Sequence, residues 1–230
     1  ESKTPESKKR EGPNTLVQLL PYLIVIWAFY GGFSTVADMV AGEKERGTME
    51  TLLISPAHRT QIVLGKFLAL SLVCLISSLM SFVGLVLVRV LDLPITRSLI
   101  QDLHVLDFST ILSIFIVLVP LVLFFAGMLL AVSALARNMR EAQTYLTLVS
   151  FVVLMPAMFS QFIGFTDFGK ENWVKFTPIL NTAMSIRNSL QERVDWAAVG
   201  VTVLVSLVLA VVVLRLVVVL FSREEILTRV

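Results

Sequence analysis

Charged residues are scarce in this sequence and are missing altogether from long stretches of it. Only 16% of the 230 residues are charged and 56% are hydrophobic, with a mean hydropathy of +0.84. A soluble domain of this length would need far more charge to cover its surface. Five intervals hold no charged residue, at positions 12–37, 67–88, 108–136, 142–166 and 196–214. Because about 20 apolar residues cross the hydrocarbon core of a bilayer as a helix, these absences exclude a soluble enzyme and indicate an all-α polytopic membrane protein.

Cysteine and histidine are nearly absent, which excludes further kinds of chemistry. The single cysteine, Cys74, lies inside the second uncharged interval, so an internal disulfide is impossible. The two histidines, His58 and His104, fall in loops on opposite faces of the predicted topology. An intramembrane metalloprotease would need clustered ligands such as H-E-x-x-H. We therefore predict no catalytic residue and no metal site, and an intramembrane enzyme is disfavoured.

The uncharged intervals predict five transmembrane helices that together form one domain, residues 16–230, after a polar linker at 1–15. Ser55 can cap a helix and Pro56 suits a first helical position, so the second helix is expected to start at Pro56 and reach about residue 90. Five crossings place the chain ends on opposite faces. The predicted spans are 16–37, 62–88, 111–136, 142–165 and 196–221.

Lysine and arginine do not fix the orientation by number alone. The first face, which carries the loop after the first span, has nine of them, and the second face has ten. Four of those ten lie in the N-terminal tail. Without the tail, the positive-inside rule favours the first face as cytoplasmic. Lys66, at the start of the second span, is expected to snorkel to the interface.

The largest loop of the first face, residues 42–56, combines charge with a short apolar pattern. Gly47 interrupts the helix of the first span, and Thr48 can cap a following one. Three apolar side chains then fall on one helical face at spacings i, i+3 and i+4: Met49, Leu52 and Leu53. A helix of about two turns is not stable alone in water, so we expect it to pack at the membrane surface. An interfacial turn with solvated charges is the alternative.

The second face carries another helix signal, Thr177 followed by Pro178. Apolar residues continue from there to Leu190, which predicts a short amphipathic helix over 178–190, on or dipping into the outer leaflet. A plain interfacial helix is equally compatible with this pattern.

The residues from Gly42 to Ala69 resemble a family signature. The run G-E-K-E-R-G-T-M-E-T-L-L-I-S-P, followed by I-V-L-G-K-F-L-A, is similar to the E-R-G-T-L-E-x-L-L-x-S-P … G-K motif of type-two ABC exporter permeases, especially the sodium-export (NatB-like) branch. The pieces A-R-N at 136–138 and F-T-P-I-L-N-T at 176–182 also look similar. The resemblance implies a six-span permease of which this chain holds the second to sixth spans. Residues 1–15 would then end an external domain, and the 178–190 helix would belong to an external hairpin.

The same resemblance implies a coupling role for residues 42–56, here called the coupling segment. In such permeases this loop is cytoplasmic and docks in a groove of a separate ATP-binding subunit. No cofactor would be bound by this chain, because ATP and Mg would reside in that ATPase dimer. A second permease copy or paralogue would complete an exporter in a bacterial inner membrane, without nucleic acid. The residues expected to make or shape the ATPase contact are Glu43, Glu45, Arg46, Gly47, Thr48, Met49, Glu50, Leu52, Leu53 and Pro56, with Arg137 and Arg140 in a second, smaller contact.

Carboxylates are absent from the interior of the spans, which bears on the substrate. A desolvated cation prefers carboxylates or converging oxygens, whereas these spans offer hydroxyl and amide groups. Such groups usually bond within or between helices, and a substrate path is the alternative. The candidates for that path are Ser77, Ser81, Thr147, Ser150 and Gln161. We expect export of an amphipathic, lipid-like or peptide substrate. Sodium, ion or drug extrusion is the alternative, and a passive channel, which needs no coupling segment, is disfavoured.

Overall fold

The computed structural model describes residues 15–49, 51, 58–91, 107–162, 174, 176–191 and 194–222, and all regular secondary structure within them is helical. Five of the described helices are long and apolar enough to cross a membrane, which confirms the predicted all-α polytopic fold. Six helices of more than two turns are labelled as follows: α1 Thr15–Val36, α2 Arg59–Val90, α3 Phe108–Leu135, α4 Met139–Phe162, α5 Pro178–Gln191 and α6 Trp196–Ser222.

The start of α2 differs from the prediction. The helix begins at Arg59 and does not run continuously from Pro56, because His58 is an extended N-cap with φ −64° and ψ 142°. The Gln61 side chain folds back and accepts a hydrogen bond from the His58 backbone N–H at 3.1 Å, as in a capping box. At 32 residues, α2 is about 48 Å long and exceeds the hydrocarbon core. It therefore extends beyond the membrane as expected, but from a later start.

The backbone of α1 remains helical beyond the predicted end of the first span at Ala37. It continues through a π-helical turn, Ala37–Gly42, and one further α-turn, Glu43–Glu45. The chain then reverses at Gly47, whose φ of +71° lies in the left-handed region that side-chain-bearing residues disfavour. The predicted break at Gly47 is confirmed, and the first eight residues after Ala37 belong to the helix and not to a loop.

Helix α3 is the centre of the bundle. About 67% of its most apolar stretch is buried inside the protein, against 17% for α6. It packs against each of the other five helices. Its fully buried side chains include Leu118, Leu121, Phe125 and Leu129. The surrounding helices expose leucine, valine and phenylalanine side chains outward, as bilayer-facing surfaces do.

Two adjacent glycines allow α1 and α2 to approach closely. A Cβ atom on Gly31 would lie 2.2 Å from the Ser77 Oγ atom, and one on Gly32 would lie 2.5 Å from Cys74 Sγ. Small residues at such crossings let helix backbones pack tightly inside membranes. The position of α2 against α1 therefore depends on the absence of these two side chains.

Helix α5 runs from Pro178 to Gln191, where the sequence predicts a helix over 178–190. Its position differs from an interfacial helix, because it packs against α1, α3, α4 and α6 and buries more than half of its side chains. The Thr110 hydroxyl at the start of α3 donates to the Ser189 carbonyl at 3.0 Å. Most of the other arm of the expected external hairpin, residues 163–173, lies outside the described residues.

Candidate functional site

The end of α1 and the residues after it lie where the ends of all five spanning helices meet. Arg59, at the start of α2, donates a hydrogen bond to the Ser222 carbonyl at the end of α6 at 3.0 Å. The Ser133 hydroxyl of α3 donates to the Val36 carbonyl of α1 at 3.0 Å. Of the predicted site residues, Glu50, Leu52, Leu53 and Pro56 lie outside the described residues, so those four stay predictions.

Glu43 joins the extension of α1 to α2. Its Oε1 atom forms an ion pair with Lys66 Nζ at 2.6 Å, and the Lys66 side chain is only 10% exposed. Lys66 Nζ also donates to the Met39 carbonyl at 2.7 Å. The other carboxylate oxygen of Glu43 is buried without a hydrogen-bond partner among the described residues. A buried charge requires a partner, and Lys66 finds it in Glu43, which joins α2 to the extension of α1. The expectation that Lys66 snorkels to the interface is therefore wrong.

Lys44 is buried, with a relative exposure of 8%. Its Nζ atom donates to the carbonyl of Ala134 at 2.5 Å and to that of Ala136 at 3.0 Å. These carbonyls belong to the C-terminal end of α3, where helical carbonyls lack partners and the helix dipole is negative. The ammonium group therefore caps α3 from another part of the chain.

Glu45 acts at the start of the next helix. Its Oε2 atom accepts a hydrogen bond from the backbone N–H of Met139, the first residue of α4, at 3.0 Å. Two side chains of the α3–α4 turn also accept hydrogen bonds from backbone N–H groups there. Asn138 Oδ1 accepts from the Glu141 N–H at 2.9 Å, and Glu141 Oε2 accepts from the Arg137 N–H at 2.8 Å. A carboxylate at a helix N-terminus satisfies free N–H groups and the positive end of the dipole.

Lys44 and Glu45 are consecutive, and together they form hydrogen bonds to both ends of the tight turn between α3 and α4. The cation meets the carbonyl end of α3 and the anion meets the amide end of α4. We call this arrangement, formed by Lys44, Glu45 and residues 134–139, the turn clamp. It fixes the extension of α1 to two further helices.

Arg46, Gly47 and Thr48 form an exposed reversal after the turn clamp. Arg46 pairs with Asp38 at 2.7 Å, and the two side chains are 62% and 54% exposed. The Thr48 hydroxyl donates to the Glu43 carbonyl at 3.1 Å, so it closes the end of the preceding helical turn. Its predicted role as a cap for the following residues is untested, because residues 52–57 lie outside the described part of the chain.

Met49 faces inward. It is 3% exposed and belongs to the main hydrophobic core, whereas the nearby Thr51 is exposed. The anchor predicted for Met49 is thus directed at this chain's own bundle. At this face, a partner protein would contact the exposed residues next to Met49 and not Met49 itself.

Arg137 and Arg140 are both exposed at the turn between α3 and α4. A recess of about 470 Å³ opens beside them, and it brings the two predicted contact regions together. It is lined by Glu45, Asn138, Met139, Arg140 and Gln143. The coupling segment and the α3–α4 turn therefore form one continuous surface.

The residues predicted for a substrate path are not gathered by the fold. Ser77 lies against Gly31 at the α1–α2 crossing. Thr147 and Ser150 are on α4, where their hydroxyls donate to the carbonyls of Gln143 and Thr147 at 2.7 and 2.6 Å. Helices α2 and α4 both pack on α1 and share little contact with each other. The path through Ser77, Ser81, Thr147, Ser150 and Gln161 stays a prediction.

Two residues of this site, Lys44 and Lys66, were not predicted to contribute to it. The pattern Asn138-x-x-Glu141 was a visible signal for the start of α4, since it matches the capping box. No comparable signal marks Lys44, because its partners are backbone carbonyls about 90 residues away along the chain.

Comparison with known proteins adds two findings. The family model described as ABC-2 family transporter protein matches residues 3–226. The ABC transporter permease protein NatB of Bacillus subtilis (strain 168) is 30% identical over 161 residues, which cover 69% of this chain and 41% of that protein. The chain thus spans less than half the length of this curated relative.

Proposed function

Because the chain belongs to the ABC-2 transporter family, we propose that it is a membrane-spanning subunit of an ATP-driven ABC exporter. In this proposal the coupling segment receives movement from a separate cytoplasmic ATPase subunit and passes it to the spans. The first face is then cytoplasmic. ATP and Mg belong to the partner, and this chain contributes no hydrolytic residue.

The observation that carries the proposal is the set of polar contacts that tie the coupling segment to the ends of other spans. Glu43 is paired with Lys66 of α2, Lys44 holds the carbonyl end of α3, and Glu45 holds the amide end of α4. Residues 42–45 of the segment continue α1 as helix. A force on the exposed reversal at residues 46–48 therefore reaches four helices directly. Such rigid attachment is what a transmitting element requires, and a passive channel has no use for it.

The exposed charges of this face support a protein partner. Arg46 and Arg140 are both solvent-accessible, and Arg140 lines the recess together with Glu45, the neighbour of Arg46 in the chain. Rim charges of this kind mainly steer association and fix register. We propose a cytoplasmic ATPase dimer as the partner and a second permease copy or paralogue beside this chain, in the inner membrane of a bacterium.

For the substrate we propose an amphipathic, lipid-like or peptide molecule. The uncharged intervals offer hydroxyl groups in place of carboxylates, and a dehydrated cation is poorly served by such a lining. Reconstituted complex whose ATP hydrolysis is stimulated by sodium ions, and not by amphipathic compounds, would overturn this part of the proposal.

Site-specific photo-crosslinking tests the docking surface. A photoreactive phenylalanine analogue is placed at Thr51, an exposed position of the coupling segment, in the full-length permease co-expressed with its ATPase. Irradiation should give a covalent product that contains the ATPase. The same analogue at Phe176, which is 72% exposed on the opposite face, should give none.

A charge reversal provides the functional arm of the same test. Arg46→Glu should weaken co-purification of the ATPase, since Arg46 is exposed and pairs only with the exposed Asp38 among the described residues. Lys66→Glu is not a suitable control because Lys66 holds the bundle together. Equal crosslinking from both faces, or full ATPase binding with Thr51 unreactive, would contradict the proposed coupling surface.

A further inference from the structure

A second cavity lies on the opposite face from the coupling segment. It has a volume of about 390 Å³ and is formed between α5 and the first turns of α6. This size falls within the range of pockets that hold small molecules. Neither the family match nor the coupling surface gives it a role.

One part of the cavity lining is polar and, among the residues that the structure describes, carries a single formal charge. Asn181, Ser185 and Asn188 come from α5, and Asp195 comes from the start of α6. Asp195 Oδ1 accepts hydrogen bonds from the N–H groups of Ala197 and Ala198 at 3.0 and 3.4 Å. Both bonds use the same oxygen. The second carboxylate oxygen of Asp195 accepts no hydrogen bond from the described part of the chain.

Hydroxyl groups extend this polarity into the protein. The Thr202 hydroxyl donates to the Ala198 carbonyl at 2.9 Å, so in the 2.8 Å contact between Ser185 and Thr202 the proton comes from Ser185. One turn further along the same two helices, Thr182 and Ser206 are fully buried. Their hydroxyls have no hydrogen-bond partner among the residues described. Thr182 and Ser206 do not line the cavity, but they leave hydrogen-bonding capacity unused one turn away from the Ser185–Thr202 contact.

The remaining wall is apolar. Val174, Met184 and Val201 line it, and Met184 packs beside a small satellite cluster of Val174 and Leu180. A methionine side chain adapts to ligands of irregular shape. The two walls together suit a molecule with one polar end and one hydrocarbon end.

We infer that this cavity binds the ammonium group of an amphipathic amine. The Asp195 carboxylate faces the cation, the carboxamides of Asn181 and Asn188 accept its remaining N–H bonds, and the apolar wall holds the start of the hydrocarbon chain. Asp195 carries the one charge among the described lining residues, which include no lysine or arginine, so an anionic group such as a sulfate or phosphate would meet a carboxylate there. As a station for exported substrate the site depends on the proposed function, but binding itself needs neither ATP nor the ATPase.

Photoaffinity labelling of the full-length permease in nanodiscs of phosphatidylcholine and phosphatidylglycerol tests this inference. The probe is dodecylamine that carries a diazirine near the amine. Labelling should map to residues 174–201 and should be displaced by unlabelled dodecylamine, but not by dodecanol or dodecyl sulfate. Displaceable labelling should fall about tenfold in Asp195→Asn, because a charge-assisted contact is lost while asparagine still caps α6. Asn188→Leu, an exposed position, should reduce it about threefold.

Asp107→Asn is the matched control, since it removes an exposed aspartate from the start of α3 on the same face and does not line the cavity. Its labelling should equal that of the unmodified protein.

A repeat with phosphatidylethanolamine in the nanodiscs identifies the source of the ammonium group. Displacement of the probe assigns the ammonium to a lipid headgroup, and no displacement assigns it to a free amine. Displacement by dodecanol that equals displacement by dodecylamine, or unchanged labelling in Asp195→Asn, overturns the inference. Loss of ATPase docking leaves these outcomes unaffected.

Discussion

The turn clamp makes a quantitative prediction for Glu45→Ala. The carboxylate accepts the N–H of Met139 at 3.0 Å, and alanine at this position leaves that N–H without its acceptor. A helix cap contributes about 1 kcal/mol, and an anion at the positive end of the dipole contributes about 0.5 kcal/mol. Their sum of roughly 1.5 kcal/mol corresponds to an increase of about tenfold in the local opening of the first turn of α4.

Hydrogen–deuterium exchange followed by mass spectrometry measures this opening in the peptide that covers residues 137–146. Arg46→Ala is the matched control, because it changes the neighbouring residue and removes an ion pair whose side chains are 62% and 54% exposed. Exposed pairs contribute about 0 to 1 kcal/mol, and the hydrogen bond of this pair joins Arg46 to Asp38 and not to the N–H of Met139. Exchange in the peptide should rise in Glu45→Ala and change little in Arg46→Ala. Equal exchange in the two variants would refute the assignment of Glu45 as a cap of α4.

Three further substitutions test the bundle by thermal denaturation of the purified permease. Gly31→Ala should destabilise it by about 1 to 3 kcal/mol, since the new Cβ would meet the Ser77 side chain. Gly84→Ala is the control and should be neutral or slightly stabilising, because its Cβ position has open space. Equal midpoints of the two variants would contradict the close α1–α2 approach. Gly47→Ala should lower stability by about 1 kcal/mol through its φ of +71° alone, because nothing lies near its Cβ position. Lys44→Met should destabilise the protein by about 2 kcal/mol through the loss of two carbonyl contacts, and an unchanged midpoint would show that the ammonium is dispensable.

The spans were predictable because the bilayer imposes a simple rule on composition. Each uncharged interval contains a helix, and the predicted ends that fall among the described residues lie within three residues of the observed helix limits, apart from the extension of α1. The errors arose where polar groups determine the end of a helix. Local capping by Gln61 moved the start of α2, and a π-helical turn carried α1 past Asp38, where the charge pattern predicts a membrane boundary. Hydropathy does not register either effect.

The position of the site in the sequence was predictable, but the contacts of its side chains were not. Gly47 and the charges around it are local signals, and the sequence located them correctly. The inward direction of Met49 and the burial of Lys44 depend on which helices are neighbours. Amphipathic spacing assigns Met49 to a face of a short helix, but it does not say whether that face contacts a partner or the chain's own core. Only the fold makes the backbone carbonyls of α3 available to Lys44.

The two faces of the bundle are held together by different chemistry, and this difference bears on how movement would spread. At the coupling face, charged groups of Lys44, Glu45 and Lys66 bond to backbone groups or to an opposite charge. At the other face, the hydrogen bonds that join α5 to α3 and to α6 come from neutral hydroxyls, beside the apolar packing of α5. Charge-assisted hydrogen bonds are about twice as strong as neutral ones. The helix ends at the coupling face should therefore move as one unit, while the helices around α5 separate more easily. Under the proposed function, a tilt delivered at the coupling segment would therefore open the bundle at the face that holds the cavity lined by Asp195.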